Sequence, residues 1–148
     1  MRRLPVTVII MWAVMLFASC ELERSDNGDF DGYWQWTSVD TLATGGSLDM
    51  RSSLIFWAVG GDLLEIIDNS DNSDNEDVYF RFNLSGDSLV LYNPVIDERD
   101  SSDIELTDYS LLLPYAITTI PASFYIDHLS GSKMILLSPL YRLNFRKY

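Results

Sequence analysis

The sequence predicts an all-β protein: an eight-stranded antiparallel up-and-down barrel over residues 32–148, with one short helical segment near 107–116. Three observations carry that expectation. Runs rich in β-branched and aromatic residues recur, glycine-containing turns separate them, and apolar and polar residues alternate within them with a period of two.

The first strand is expected at 33–40, in "GYWQWTSVD", where Trp34 and Trp36 share one face and Tyr33, Gln35 and Thr37 the other. The run "SLIFWAV", residues 53–59, is apolar on both sides, so alternation does not orient it. Beyond the Gly60-Gly61 turn, Leu64 and Ile66 flank Glu65 in a strand at 62–67. In the strand at 77–84, Phe80, Phe82 and Leu84 oppose Tyr79, Arg81 and Asn83. The Ser85-Gly86-Asp87 turn leads to 87–93, which places Leu89 and Leu91 on the inner face. Strands at 122–129 and 133–138, split by Ser130-Gly131-Ser132, contribute Phe124, Ile126, Met134 and Leu136. Pro139 precedes the last strand, 141–147, where Tyr141, Leu143 and Phe145 oppose Arg142, Asn144 and Arg146. Polar residues along one face mean that the other is buried.

One segment interrupts the meander. In "ELTDYSLLLPYAITTIP", residues 105–121, Thr107 or Asp108 is placed to cap one or two helical turns, and Pro114 is expected to end them. This segment reads as a connector covering the open end of the barrel, or as a lid over it.

Upstream of the barrel, Met1-Arg2-Arg3 and the apolar run "LPVTVIIMWAVMLFAS" have the layout of a secretory signal peptide over residues 1–19. The run is short for a membrane-spanning helix. Its ending, "FASC", resembles a bacterial lipobox, which implies lipidation of Cys20 and a membrane anchor through the N-terminal lipid. Cys20 is the single cysteine, so no intramolecular disulfide can form. Residues 20–31, "CELERSDNGDFD", read as a flexible tether. Glu21, Glu23 and Asp26 loosely resemble signals that send some lipoproteins to the cell surface, and fit a solvated linker equally well. The expected location is the bacterial cell envelope, at the outer membrane, on its periplasmic or its outer face.

The formal net charge of −12 falls to −14 once Arg2 and Arg3 leave with the signal. Such a surface repels phosphate backbones, so no nucleic-acid partner is expected. The acidic run "DNSDNSDNED", residues 68–77, lacks the glycine and glutamate of a calcium loop in either frame and reads as a solvated hairpin loop. His128, the single histidine, has no companion ligands for zinc, and it reads as a hydrogen-bonded residue near a strand end. With no nucleophile elbow, phosphate loop or dinucleotide fingerprint, neither an enzyme nor a cofactor is expected.

With the barrel pattern in place, Gly32-Tyr33-Trp34 resembles the signature that opens the first strand of lipocalins. From "GDFDGYWQWTSVDT" to "LNFRKY" the chain resembles small lipocalin-like lipoproteins of unknown function in Gram-negative bacteria. That resemblance implies that Gly32 and Trp34 close the base of the barrel beneath a basic residue from the last strand, for which Arg142 or Arg146 is the counterpart. Lipocalins at large also carry a long helix after the last strand, whereas this sequence stops at Tyr148.

An eight-stranded barrel is wide enough to be filled by side chains or to hold one small ligand. The resemblance therefore implies a small apolar ligand, with Trp36, Phe80, Phe82, Phe124, His128 and Leu143 as candidate contacts. The alternative is a filled barrel that docks an envelope protein through Tyr33, Tyr79, Tyr92 or the 105–121 segment.

Overall fold

The computed structural model describes residues 25–70, 77–96 and 102–148. Within them lie strands β1 (Gly32–Thr41), β2 (Ser47–Asp49), β3 (Ile55–Gly60), β4 (Leu63–Asp68), β5 (Val78–Ser85), β6 (Ser88–Ile96), β7 (Ile104–Glu105), β8 (Ala122–Leu129), β9 (Lys133–Leu137) and β10 (Tyr141–Lys147). Eight of them close into an antiparallel barrel in the order β1-β3-β4-β5-β6-β8-β9-β10, with β10 returning to pair β1. These are the eight strands expected from the sequence. The short strands β2, on β1, and β7, on β6, are additions that the sequence analysis missed.

Inward alternation holds around the barrel except where three bulges interrupt it. Trp34, Trp36, Leu64, Ile66, Phe80, Leu89, Leu91, Phe124, Met134, Leu136, Leu143 and Phe145 are all buried and belong to one core. The run that alternation could not orient is settled by its neighbours. Trp57 sits opposite Trp34 and Ile66 and faces in, whereas Phe56 faces out beneath Tyr33 and Tyr148.

Three bulges adjust the phase. In β1 the ladder to β10 skips Thr37, whose side-chain hydroxyl donates to the Asn144 carbonyl, 2.9 Å away. That shift lets β1 pair β3 with its first half and β2 with its second. In β6, Asn93 takes a left-handed conformation (φ 48°) where the β5–β6 register slips, and the strand continues three residues past its expected end. In β8 the register to β9 slips between Ile126 and His128.

The two ends of the barrel are built differently. The first strand, the β3–β4, β5–β6 and β8–β9 hairpins and the end of β10 meet at one end, which is closed. At the other, open end lie the 41–55 connection, the end of β4 and start of β5, the end of β6, the described passage from 102 to β8 and the β9–β10 turn. In that passage Tyr109–Tyr115 forms a 3₁₀ helix, capped by the Asp108 carboxylate accepting from the Ser110 backbone N–H at 3.0 Å. The helix runs one residue past Pro114. A proline forfeits only one bond in so short a turn, and Ala116 in the left-handed region (φ 60°) supplies the stop. Leu112, Tyr115 and Ile117 from this strap are buried in the core, and the Tyr115 hydroxyl donates to Asp68 at the end of β4. The segment therefore covers the open end.

The expectation of a flexible tether over 20–31 is corrected at its C-terminal part. Gly28–Phe30 forms a 3₁₀ turn, and Phe30 is fully buried, edge-on to Phe82 at 5.3 Å. Asn27 donates to the Gly61 carbonyl, and the Gly61 N–H donates to Ser25. A single aromatic ring in a polar stretch carries no periodicity, which is why composition alone reads it as linker. The signal at 1–19, Cys20 and residues 21–24 lie outside the described residues, as do 71–76 of the acidic loop.

Phe30→Ala is expected to destabilise the barrel by about 3–5 kcal/mol in urea unfolding, the cost of an emptied core position. A loss below about 1 kcal/mol would return the segment to the status of a tether.

Candidate functional site

The closed end is a plug built from backbone and side chain together. Gly32 sits at φ +127°, a region that side chains rarely adopt, and a β-carbon there would lie 2.8 Å from Lys147 Cε. With no side chain at 32, the Lys147 stem crosses the strand and its ammonium lies 4.8 Å from the centre of the Trp34 ring. Lys147 Nζ also donates to the Asp29 carbonyl at 3.0 Å, and Trp34 Nε1 donates to the Phe30 carbonyl at 2.8 Å. The indole is thus fixed from both sides, and the ammonium keeps a polar partner while its charge faces the ring.

This corrects the assignment of the barrel-closing cation. It is Lys147, paired with Trp34 across the β1–β10 ladder, and neither Arg142 nor Arg146. The reason is strand parity: Leu143, Phe145 and position 147 face in, so the arginines face out. There Arg142 pairs with Asp127 at 2.9 Å, and Arg146 Nε donates to the buried Gln35 at 2.7 Å.

Of the candidate ligand contacts, Trp36, Phe80, Phe82, Phe124 and Leu143 all lie inside the barrel. His128 does not. Undisturbed alternation from Phe124 and Ile126 would turn it inward, but the β8 bulge inserts Asp127 and rotates His128 to the exposed outer face opposite Ile135. Sequence reasoning missed Trp57, the ring at the centre of the interior, 4.8 Å from Phe145 and 6.0 Å from Phe124. Its signal was hidden by the two-sided apolar run.

Among the described residues the core is apolar apart from its indole N–H groups and the Tyr115 hydroxyl. Trp36 Nε1 donates to the Ser38 carbonyl at 3.0 Å, whereas Trp57 Nε1 is buried with no hydrogen-bond partner among the described residues. At the open end a notch of about 290 Å³ opens between the strap and the β9–β10 turn, walled by Ile117, Ala122, Phe124, Pro139 and Leu140. Among the described residues, no group of three histidine, cysteine or carboxylate side chains could hold a metal ion.

On the outer wall Tyr33 stacks on Phe56 at 4.8 Å and is flanked by Tyr148 at 6.0 Å. Burial first, and then the nearby Glu65 carboxylate, push its phenol above the ordinary value of 10.0.

A closed antiparallel barrel of eight strands, plugged at one end by a glycine–tryptophan–lysine arrangement and apolar within, defines a lipocalin-like protein. Sequence comparison agrees: the family described as a lipocalin-like domain matches residues 15–148, and the chain belongs to it. No curated protein matches the chain. Among solved structures, a lipocalin-like protein from Bacteroides uniformis ATCC 8492 superposes with a TM-score of 0.61 at 19% identity, covering 82% of this chain and 100% of that one. An uncharacterized protein from Bacteroides eggerthii DSM 20697 superposes with a TM-score of 0.54 at 16% identity, covering 80% and 98%. At these identities the likeness is one of fold.

Lys147→Met should lower stability by about 0.5–2 kcal/mol, the range of a cation–π contact, with Lys147→Arg intermediate. Arg142→Met should cost less than about 1 kcal/mol, because its ion pair is half-exposed. Chemical denaturation of the three variants ranks them, and a costlier Arg142→Met would return the plug to the arginines. Tyr33 gives a second prediction. The folded chain keeps this phenol protonated while the unfolded chain releases its proton near pH 10.0, so the contribution is constant below that pH and falls above it. Absorbance titration at alkaline pH should show a late-titrating component that disappears in Tyr33→Phe.

Proposed function

We propose that this protein binds a small apolar molecule inside its barrel, at a bacterial cell envelope, held to the membrane by a lipid on Cys20. The observation that carries the reading is the apolar interior of a closed lipocalin-like barrel, with a notch at its open end whose lining includes the core residue Phe124. Two further arguments support it. Phe124 belongs to the interior and also to the wall of the notch, so the mouth and the core share a side chain. The lipobox-like sequence before Cys20 fits an anchor, and the chain enters the barrel at its closed end through Ser25, Asn27 and Phe30. A tether arriving there leaves the mouth facing away from the anchoring membrane.

A second reading, a filled barrel that docks another envelope protein, is favoured by the strap. Tyr109, Leu111 and Leu113 turn outward from the same 3₁₀ helix that buries Leu112, with Leu111 52% and Leu113 55% exposed. Of the tyrosines first considered for docking, Tyr33 is half-buried against Phe56, and Tyr79 is half-buried as well.

Binding of N-phenyl-1-naphthylamine, a neutral apolar fluorophore, tests the first reading. We expect saturable binding of one probe per chain, weakened about tenfold or more by Leu143→Asp, which places an uncompensated charge inside. Native mass spectra of protein purified from envelopes should show a small bound mass. An empty barrel with no probe binding, together with an envelope protein whose capture is lost in Leu111→Glu, would replace the first reading with the second.

A further inference from the structure

Three described indoles point into the barrel, and two have carbonyl partners: Trp34 Nε1 bonds Phe30 O and Trp36 Nε1 bonds Ser38 O. Trp57 has none. Its ring is 1% exposed, and its Nε1 meets no acceptor. The side chains of its cross-strand neighbours Trp34 and Ile66, and the rings of Phe124 and Phe145, carry no lone-pair acceptor. Most buried polar groups in folded proteins are hydrogen-bonded, and one left unpaired costs about 1–3 kcal/mol. A donor kept inside an otherwise apolar barrel at that cost calls for an acceptor from outside the chain.

The chemistry of that acceptor follows from the surroundings. An indole N–H only donates, so the ligand presents an oxygen lone pair. No charged side chain lines the notch at the mouth, and the formal charge of the chain is −12. A carboxylate would have to leave water with no cation to receive it. A neutral carbonyl meets none of these costs. The notch, about 290 Å³, suits a small molecule, and Phe124, which lines it, lies with its ring 6.0 Å from that of Trp57.

We propose that Trp57 Nε1 is the polar anchor of the barrel's ligand, and that the ligand is a small, uncharged, apolar molecule carrying a carbonyl oxygen, a ketone, aldehyde or ester, admitted from the notch past Phe124. This rests on the ligand-binding reading above and adds the ligand's chemical class and orientation.

The test uses two probes that differ only in the oxygen, 2-nonanone and nonane, each displacing N-phenyl-1-naphthylamine from the intact protein. With tryptophan labelled at the indole nitrogen, 2-nonanone should move the Trp57 indole proton resonance downfield, and nonane should not. Trp57→Phe, which also assigns the resonance, should weaken 2-nonanone about tenfold, the worth of one hydrogen bond, while nonane changes far less. Benzothienylalanine at position 57 keeps the ring shape, removes the N–H and should give the same contrast. An unmoved Trp57 resonance, or equal weakening of both probes, overturns the assignment of Trp57 and leaves barrel binding standing. If neither probe displaces the fluorophore, and the fluorophore itself fails to bind, the ligand-binding reading falls with it.

Discussion

Closure of β1 onto β10 is the constraint from which the rest of this structure follows. The ladder runs from Trp34 opposite Lys147 to Thr41 opposite Tyr141, so the first and last strands seal the barrel wall. A closed barrel has one inside, and a strand has a period of two, so the register at this seam decides which side chains share the interior. It places Trp34, Trp36, Leu143, Phe145 and the stem of Lys147 on the inner side. The Thr37 bulge then changes the phase, so that Val39, opposite Leu143, packs against the core where strict alternation would have put Ser38. On the outside the same seam buries Gln35, whose amide is held by Arg146 and by the Arg51 carbonyl.

The two ends differ in chemistry, and the difference bears on function. At the closed end, hydrogen bonds to the carbonyls of Asp29, Phe30 and Gly61 tie down charged and polar side chains, so opening it means breaking directional contacts. At the open end, the strap is held by the packing of Leu112, Tyr115 and Ile117, with the Tyr115 hydroxyl on Asp68. Non-directional packing can slide and re-form, so of the two ends the mouth is the one able to open at lower cost. The outward leucines of the strap also make the mouth, and not the plug, the apolar end of the molecule.

Much of the fold was legible in the sequence because alternation is a direct record of a two-sided environment. Every strand whose polar face was clear was placed, and its inward residues, His128 excepted, are buried or packed against the core. The errors also have physical reasons. Arg142 and Arg146 drew the plug assignment by their charge, although the parity of Leu143 and Phe145 already directed position 147 inward. His128 was displaced by one inserted residue, and a bulge is set by how two strands meet. Phe30 looked like part of a linker because its burial depends on Phe82, more than fifty residues away. The small strands β2 and β7 exist only as partners for β1 and β6 and carry no pattern of their own.

By itself the sequence determined the class of this protein, eight strands with one apolar face each, because local periodicity needs no knowledge of neighbours. It also determined that Gly32 and Trp34 open the first strand. Only the tertiary structure decided that Lys147 covers Trp34, that the strap closes the mouth, and that Trp57 stands inside with an N–H unpaired among the described residues. Each of those depends on which residues closure brings together across the barrel, and contacts between distant parts of a chain leave no local period to read.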